Sequence, residues 1–257
     1  MRIATIRFIN ALPLVYGLQK SSNHELFFET PSSCYKKLVD GLVDVALVPV
    51  LATQMHPTLL AVKGLGIAST KKTESVILFA SKPLDRVKTI LTDPASLTSV
   101  SLLKIILKKK YGNEPAYKQG PVDELHDALR TYDAVLVIGD QAILAEKTDY
   151  DHYDLASEWY SMTQLPFLFA VWASLKPLSP EKQAVLHESC VEGLAHIDEV
   201  YERALEMIPV DRKFVARYYK DDLHYQLTKN DYEGLLQYLT LLAEFKIING
   251  IRKKVWM

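Results

Sequence analysis

Short apolar strands alternating with helical stretches constrain this chain more than any other feature. Residues 43–50 (VDVALVPV) and 134–139 (AVLVIG) are nearly unbroken apolar runs. A strand of that kind must be covered on both faces, as in a parallel sheet flanked by helices. Helical patterns of about ten residues separate such strands, which predicts βαβ units and an α/β fold.

The remaining elements follow from the same signals. Residues 2–8 (RIATIRF) read as a strand, broken at Asn10 and Pro13. Asn10 suits a cap or loop and Pro13 a first helical turn, with the helix running over 14–19. Glu25–Glu29 predicts a second strand, and Pro31 opens a helix through Asp40 that Gly41 stops. Strands are expected over 59–66, 74–81 and 88–91. The helix expected over 98–110 ends in three lysines, which suit the negative end of its dipole. Ala116–Gln119 predicts a strand, 122–130 a helix, and Asp140 opens a helix after 134–139. A strand is expected over 165–173. Beyond Pro177 and Pro180 the texture changes, and 181–207, 212–227 and 231–245 are long helical patterns.

That order fits a chain that builds most of one lobe, crosses to a second, and returns to finish the first with helices. Crossings near Leu84 and Lys176, beside Pro83 and Pro177, would divide it into 1–84 plus 175–257 and 85–174. A ligand would lie between the lobes, at the C-terminal ends of the strands.

Composition removes several function classes. Thirty basic residues balance 31 acidic ones, which leaves no dominant field for nucleic acid. No window reaches about 18 uninterrupted apolar residues, so no membrane span is expected. The start, MRIATIRFINALPL, lacks the regions of a secretory signal, and the expected compartment is the cytoplasm. Two cysteines, Cys34 and Cys190, are too few for a disulfide framework or zinc cage and read as buried reduced thiols. His187 and His196 lie on opposite sides of one expected helix and cannot share a metal. Neither a metal nor an organic cofactor is expected. The phosphate-loop, dinucleotide, zinc-protease and serine-hydrolase motifs are absent.

What remains is a set of polar breaks at strand–helix junctions: Asn10, Ser75, Ser96 to Ser99, Gly139-Asp140 and Thr163-Gln164. Such junctions point free N–H groups into a crevice beside a positive helix end. Hydroxyl and amide side chains add neutral donors, a combination suited to a carboxylate. The alternative is that Ser96, Thr98 and Asp140 only cap helices.

These residues also fall in ordered motifs. They are Phe8-Ile9-Asn10-Ala11-Leu12-Pro13, Gly41-Leu42-Val43-Asp44, Ser75-Val76-Ile77-Leu78-Phe79, Ser96-x-Thr98-Ser99, Ile138-Gly139-Asp140, and the run from Tyr153 through Trp159 and Thr163 to Trp172. Together, over residues 1–175, they resemble the chorismate dehydratases of the futalosine route to menaquinone. The resemblance implies a two-lobed, periplasmic-binding-protein-like fold of type II with a cleft between lobes and a helical C-terminal segment. It implies cofactor-free loss of water from chorismate, giving 3-[(1-carboxyvinyl)oxy]benzoate. It implies Asn10 and Ser75 as catalytic residues. Substrate-binding residues would be Arg7, Ser96, Thr98, Ser99, Gln119, Gly139, Asp140, Thr163 and Phe167. Asn10 would orient the substrate and its leaving hydroxyl, while Ser75 and the 96–99 amides would bind carboxylates. Arg7 is either a counter-charge or turned to solvent.

The chain departs from the family pattern at Gln164, where members often carry Gly, and at Leu97, where a polar or basic residue is usual. It departs again at Gln119, where a carboxylate is expected. Two other readings fit: a 1,4-dihydroxy-6-naphthoate-forming relative, expected to use a cleft histidine, and a non-catalytic small-carboxylate binding protein. The expected partner is the small-molecule substrate, with no nucleic acid and no membrane. The C-terminal helices could include a homodimer face, though core packing explains their apolar stripes better.

Overall fold

The structure, a computed structural model, describes residues 1–122, 124–146 and 150–257. From the N-terminus, β1 (Arg2–Ile6), α1 (Leu12–Lys20), β2 (Glu25–Glu29), α2 (Pro31–Val39) and β3 (Val45–Pro49) form two βαβ units. Then come α3 (Ala52–Met55) and β4 (Leu60–Ser69). A second series follows: β5 (Val76–Ala80), β6 (Thr89–Thr92), α4 (Leu97–Tyr111), β7 (Ala116–Gln119) and α5 (Leu125–Thr131). It continues with β8 (Ala134–Ile138), α6 (Asp140–Leu144), β9 (Asp151–Asp154) and α7 (Leu155–Thr163). The last part is β10 (Phe167–Ser174), α8 (Pro180–Ala195), α9 (Ile197–Met207), α10 (Arg212–Arg217), β11 (His224–Gln226) and α11 (Lys229–Glu244).

The strands form two sheets, β11-β4-β10-β3-β1-β2 and β7-β6-β8-β5-β9. In each, a parallel half carries the βαβ units and an antiparallel half closes the sheet. Every residue of β3, β5 and β8 is buried, as their unbroken apolar runs require.

Strand pairing moves both lobe crossings. β5 belongs to the second sheet and β10 to the first. The chain therefore crosses between Ser69 and Val76 and returns between Thr163 and Phe167, rather than near Leu84 and Lys176. Pro83 lies in a turn inside the second lobe, where its carbonyl accepts from Arg86 N (2.8 Å). Pro177 precedes α8 within the first. Proline marks a turn, but it does not say which sheet the next strand joins.

Two long helices expected near the C-terminus are also interrupted. The stretch 181–207 breaks at His196 (φ −108°, ψ 39°), whose ring stacks on Tyr16 at 5.3 Å. The stretch 212–227 holds only α10, a π-helical turn at Tyr218–Asp222, and the strand β11. Tyr225 is buried between half-exposed His224 and exposed Gln226, so the local period is that of a strand. Pairing with the edge of β4 secures it. The helix expected over 122–130 is seen as Leu125–Thr131, and residue 123 lies outside the described set.

One apolar core runs through both lobes, joining Ile3, Val45 and Trp172 to Leu78, Ile90 and Leu136. A smaller cluster around Phe79 and Val137 lies on the second sheet's other side. Tyr238 of α11 welds the lobes: it packs edge-on against Trp159 and Phe167 and donates to Thr98 O (3.3 Å). Helix α1 lies very close to α8. Ser189 Oγ donates to Leu14 O (2.9 Å) and accepts from Leu18 N (3.0 Å). A Cβ on Gly193 would stand 2.2 Å from Pro13 O. Gly193→Ala should therefore cost about 1–3 kcal/mol or more in a denaturant titration, because backbone cannot yield to a new methyl.

Gln164 ends α7 in the left-handed region (φ 59°), the conformation that glycine adopts without penalty. Gln164→Gly should stabilise the protein by about 0.5–1 kcal/mol in the same titration.

Candidate functional site

A cleft of about 540 Å³, mouth included, lies between the two sheets. Its wall is made at the junctions after β1, β6 and β8 and at the crossover into β5. The structure brings together Asn10, Ser75, Ser96, Thr98, Ser99 and Gly139 from the expected set. Among the described residues, the wall carries no charged side chain.

Asn10 sits in a single 3₁₀ turn, Ile9–Ala11, that directly follows β1. The backbone of this turn is held from three directions. Ile9 O accepts from Tyr219 Oη (2.6 Å), Asn10 O from Tyr225 Oη (2.9 Å), and Ile9 N donates to Asp140 Oδ1 (3.1 Å). The Asn10 side chain is thereby aimed at the cleft. Its Oδ1 is buried, like Ser96 Oγ, and neither has a hydrogen-bond partner among the described residues. Unpaired buried polar atoms are costly, and these two are available to hydrogen-bond a ligand in the cleft.

Ser96 occupies the N-cap of α4 but makes no capping bond with its side chain among the described residues. The first-turn N–H groups of Leu97, Thr98 and Ser99 have no acceptor inside their own helix. A 15-residue helix thus presents its positive end to the cleft. Thr98 is turned the other way: its Oγ1 accepts from Leu51 N (3.3 Å), tying α4 to the first lobe.

Ser75 stands where the chain enters β5. Its Oγ meets Thr73 Oγ1 (3.0 Å) and its carbonyl accepts from Gly139 N (2.8 Å). Gly139 (φ 65°) admits no side chain, since a Cβ there would lie 2.6 Å from the Phe8 ring. Phe8 and Gly139 therefore close the cleft from opposite lobes.

Five expected site residues do not line the wall. Arg7 is exposed, 6.0 Å from the Phe8 ring centroid, while its N–H extends the β1–β2 ladder. Gln119 ends the edge strand β7 and is exposed. Thr163 Oγ1 donates to Trp159 O (2.9 Å), closing α7. Phe167 is buried among Trp159, Phe169 and Tyr238. Asp140 lies behind the wall with its carboxylate on Ile9 N–H.

Phe169 lines the cleft instead of Phe167, because a register shift between Leu168 and Ala170 breaks the strand alternation there. Thr73 and Phe8 were also missed. The signal for Thr73 was its polar alternation with Ser75; that for Phe8 was its place at a strand end.

Residues 1–244 match the menaquinone biosynthesis family. The chain belongs to that family. A relative named chorismate dehydratase, from Thermus thermophilus, is 30% identical over 92% of this chain and 93% of its own. A second of that name, from Campylobacter jejuni, is 27% identical over 88% and 89%. A solved protein of Archaeoglobus fulgidus superposes with TM-score 0.79 at 18% identity, covering 96% of this chain and 98% of that one. The periplasmic aliphatic sulphonate binding protein of Escherichia coli superposes with TM-score 0.66 at 15% identity, covering 100% and 92%. This member of the menaquinone family therefore has the two-lobed, periplasmic-binding-protein-like fold. No described helix is long and apolar enough to cross a membrane.

Burial pushes Asp140 up to about 6, against the pull of the Ile9 N–H and of Arg7. A carboxylate raised in the folded state is protonated there while the unfolded chain has already ionised. Stability is then present in full below about pH 4 and falls as pH rises through 6. Asp140→Asn keeps an acceptor for Ile9 N–H and removes this loss. Its stability relative to wild type should rise between pH 4 and 6.5 by on the order of 1–3 kcal/mol, read from urea midpoints.

Proposed function

We propose that the chain is a chorismate dehydratase, a carbon–oxygen hydro-lyase acting in menaquinone formation through futalosine. The C3–H and C4–O bonds of chorismate break, a C3–C4 double bond aromatises the ring, and proton and hydroxide leave as water. The product is 3-[(1-carboxyvinyl)oxy]benzoate. The observation that carries this reading is the start of α4, without a side-chain cap among the described residues, sharing a neutral cleft with a buried Asn10 Oδ1 that has no partner among them. Similarity along almost the whole chain to two proteins of that name supports it.

In this reading the α4 amides and the Ser96 and Ser99 hydroxyls hold one substrate carboxylate. Asn10 orients the ring and its C4 hydroxyl. Ser75 donates a hydrogen bond to the departing oxygen or the second carboxylate. Orientation of this kind supplies as much as ~7–11 kcal/mol of barrier reduction. One well-placed donor to a developing charge adds about 2.7–4 kcal/mol.

A substrate carboxylate takes the C3 proton. A carboxylate desolvated without a cation beside it is a stronger base than in water, so a neutral wall favours that transfer. Arg7, Gln119, Asp140, Thr163 and Phe167 act at most indirectly in this scheme, through the backbone or the packing around the cleft.

Incubation with chorismate should yield the aromatic product, followed by ultraviolet absorbance without added metal or cofactor. Binding without turnover would overturn the reading in favour of a carrier. In single-turnover experiments, Asn10→Asp and Ser75→Ala should each slow product formation about 10²–10³-fold. Wild-type rates in both variants would refute this site map.

A further inference from the structure

We propose that Asp154 is a positioning residue for the reaction, its carboxylate coupling the start of α7 to the crossover that presents Ser75. The inference rests on the role given to Ser75 above.

Asp154 uses its two oxygens for two different tasks. Oδ1 accepts from Ala156 N (2.9 Å) and Ser157 N (3.0 Å), an ordinary N-cap for α7. Oδ2 accepts from Thr73 N (3.0 Å) and Glu74 N (2.7 Å), on the segment that enters the second lobe. Helix capping needs only the first pair. The second pair reaches 80 residues back along the chain, to the two amides just before Ser75.

That segment is strained and must be held. Glu74 has φ 55°, a left-handed conformation that a residue with a side chain keeps only when its surroundings impose it. Its carboxylate is gripped by Arg217 (3.0 Å) and Lys72, so the turn is secured through side chain and backbone alike. The result is local and directional. Thr73 and Ser75 both face the cleft with their hydroxyls 3.0 Å apart, and Ser75 O accepts from Gly139 N, just beyond β8. Released from Asp154, residues 73–75 relax toward ordinary backbone angles and carry the Ser75 hydroxyl off its position.

Only a carboxylate can accept on both sides. In Asp154→Asn one terminal atom becomes an NH₂ group and faces a pair of N–H donors. In Asp154→Ser the hydroxyl restores the helix cap but is too short to serve the crossover as well.

The test measures chorismate turnover by purified wild type, Asp154→Ser and Asp154→Asn, with melting temperature and amide hydrogen exchange on the same samples. Both variants should lose about 10- to 100-fold in kcat with KM little changed. The serine variant should melt below wild type, because two amides lose their acceptor, yet stay folded at the assay temperature, and its Thr73 and Glu74 amides should lose protection. Wild-type kcat in Asp154→Ser, or a loss no larger than its unfolded fraction, overturns the inference. So does undiminished protection at Thr73 and Glu74. If wild type itself fails to turn over chorismate, the proposed function falls and Asp154's part in that reaction with it, and the exchange result decides only whether Asp154 holds the crossover.

Discussion

Three hydrogen bonds to one turn of backbone organise this molecule. The Ile9–Ala11 turn follows the first strand, and its peptide groups are claimed by Tyr219, Tyr225 and Asp140. Two of these come from the C-terminal segment and one from the second lobe. Ordering a side chain on a free loop would spend binding energy on conformational entropy. Here that cost is met during folding, so the Asn10 amide waits in place. The C-terminal segment is thus more than cladding for the first sheet, because Tyr219 of the π turn and Tyr225 of β11 hold the turn that carries Asn10.

The same economy shapes the electrostatics. The cleft wall offers hydroxyls, an amide and a helix end, and two ionic groups near it are occupied elsewhere. Arg217 is committed to Glu74, and Asp140 to Ile9 N–H. On the proposed reading, a dianion is held by dipoles rather than by cations. The carboxylate held by the α4 amides loses basicity to those hydrogen bonds, and the other, with fewer donors, stays basic enough to take a proton. In a dry cleft the same hydrogen bonds are stronger than they would be in water.

Much of the architecture was legible in the residues. Unbroken apolar runs announced β3, β5 and β8, and Pro31, Pro13 and Gly41 marked helix ends correctly. Asn10, Ser75, Ser96, Ser99 and Gly139 were readable as polar breaks beside such strands. Phe167 and Phe169 were not separable, because a β-bulge decides which of them faces the cleft. Asp140 reads as ligand or cap, and in the structure its carboxylate takes the N–H of Ile9, 131 positions away. Nothing local in 212–227 announces the π turn, since Tyr218 and Tyr219 fit a helix as well as they fit the core that bends it.

By itself the sequence determined most element types of the α/β part, the α/β class and the chemistry of the junctions, but not the strand β11 or the π turn before it. Periodicity, caps and apolar runs act over a few residues and are written in neighbouring positions. Only the tertiary structure decided which sheet β5 and β10 joined, which aromatic ring entered the cleft, and that one carboxylate at Asp154 would serve both a helix and a distant turn. Those outcomes depend on pairings between segments far apart in the chain, where the winning contact is set by the geometry of the whole assembly rather than by the residues on either side.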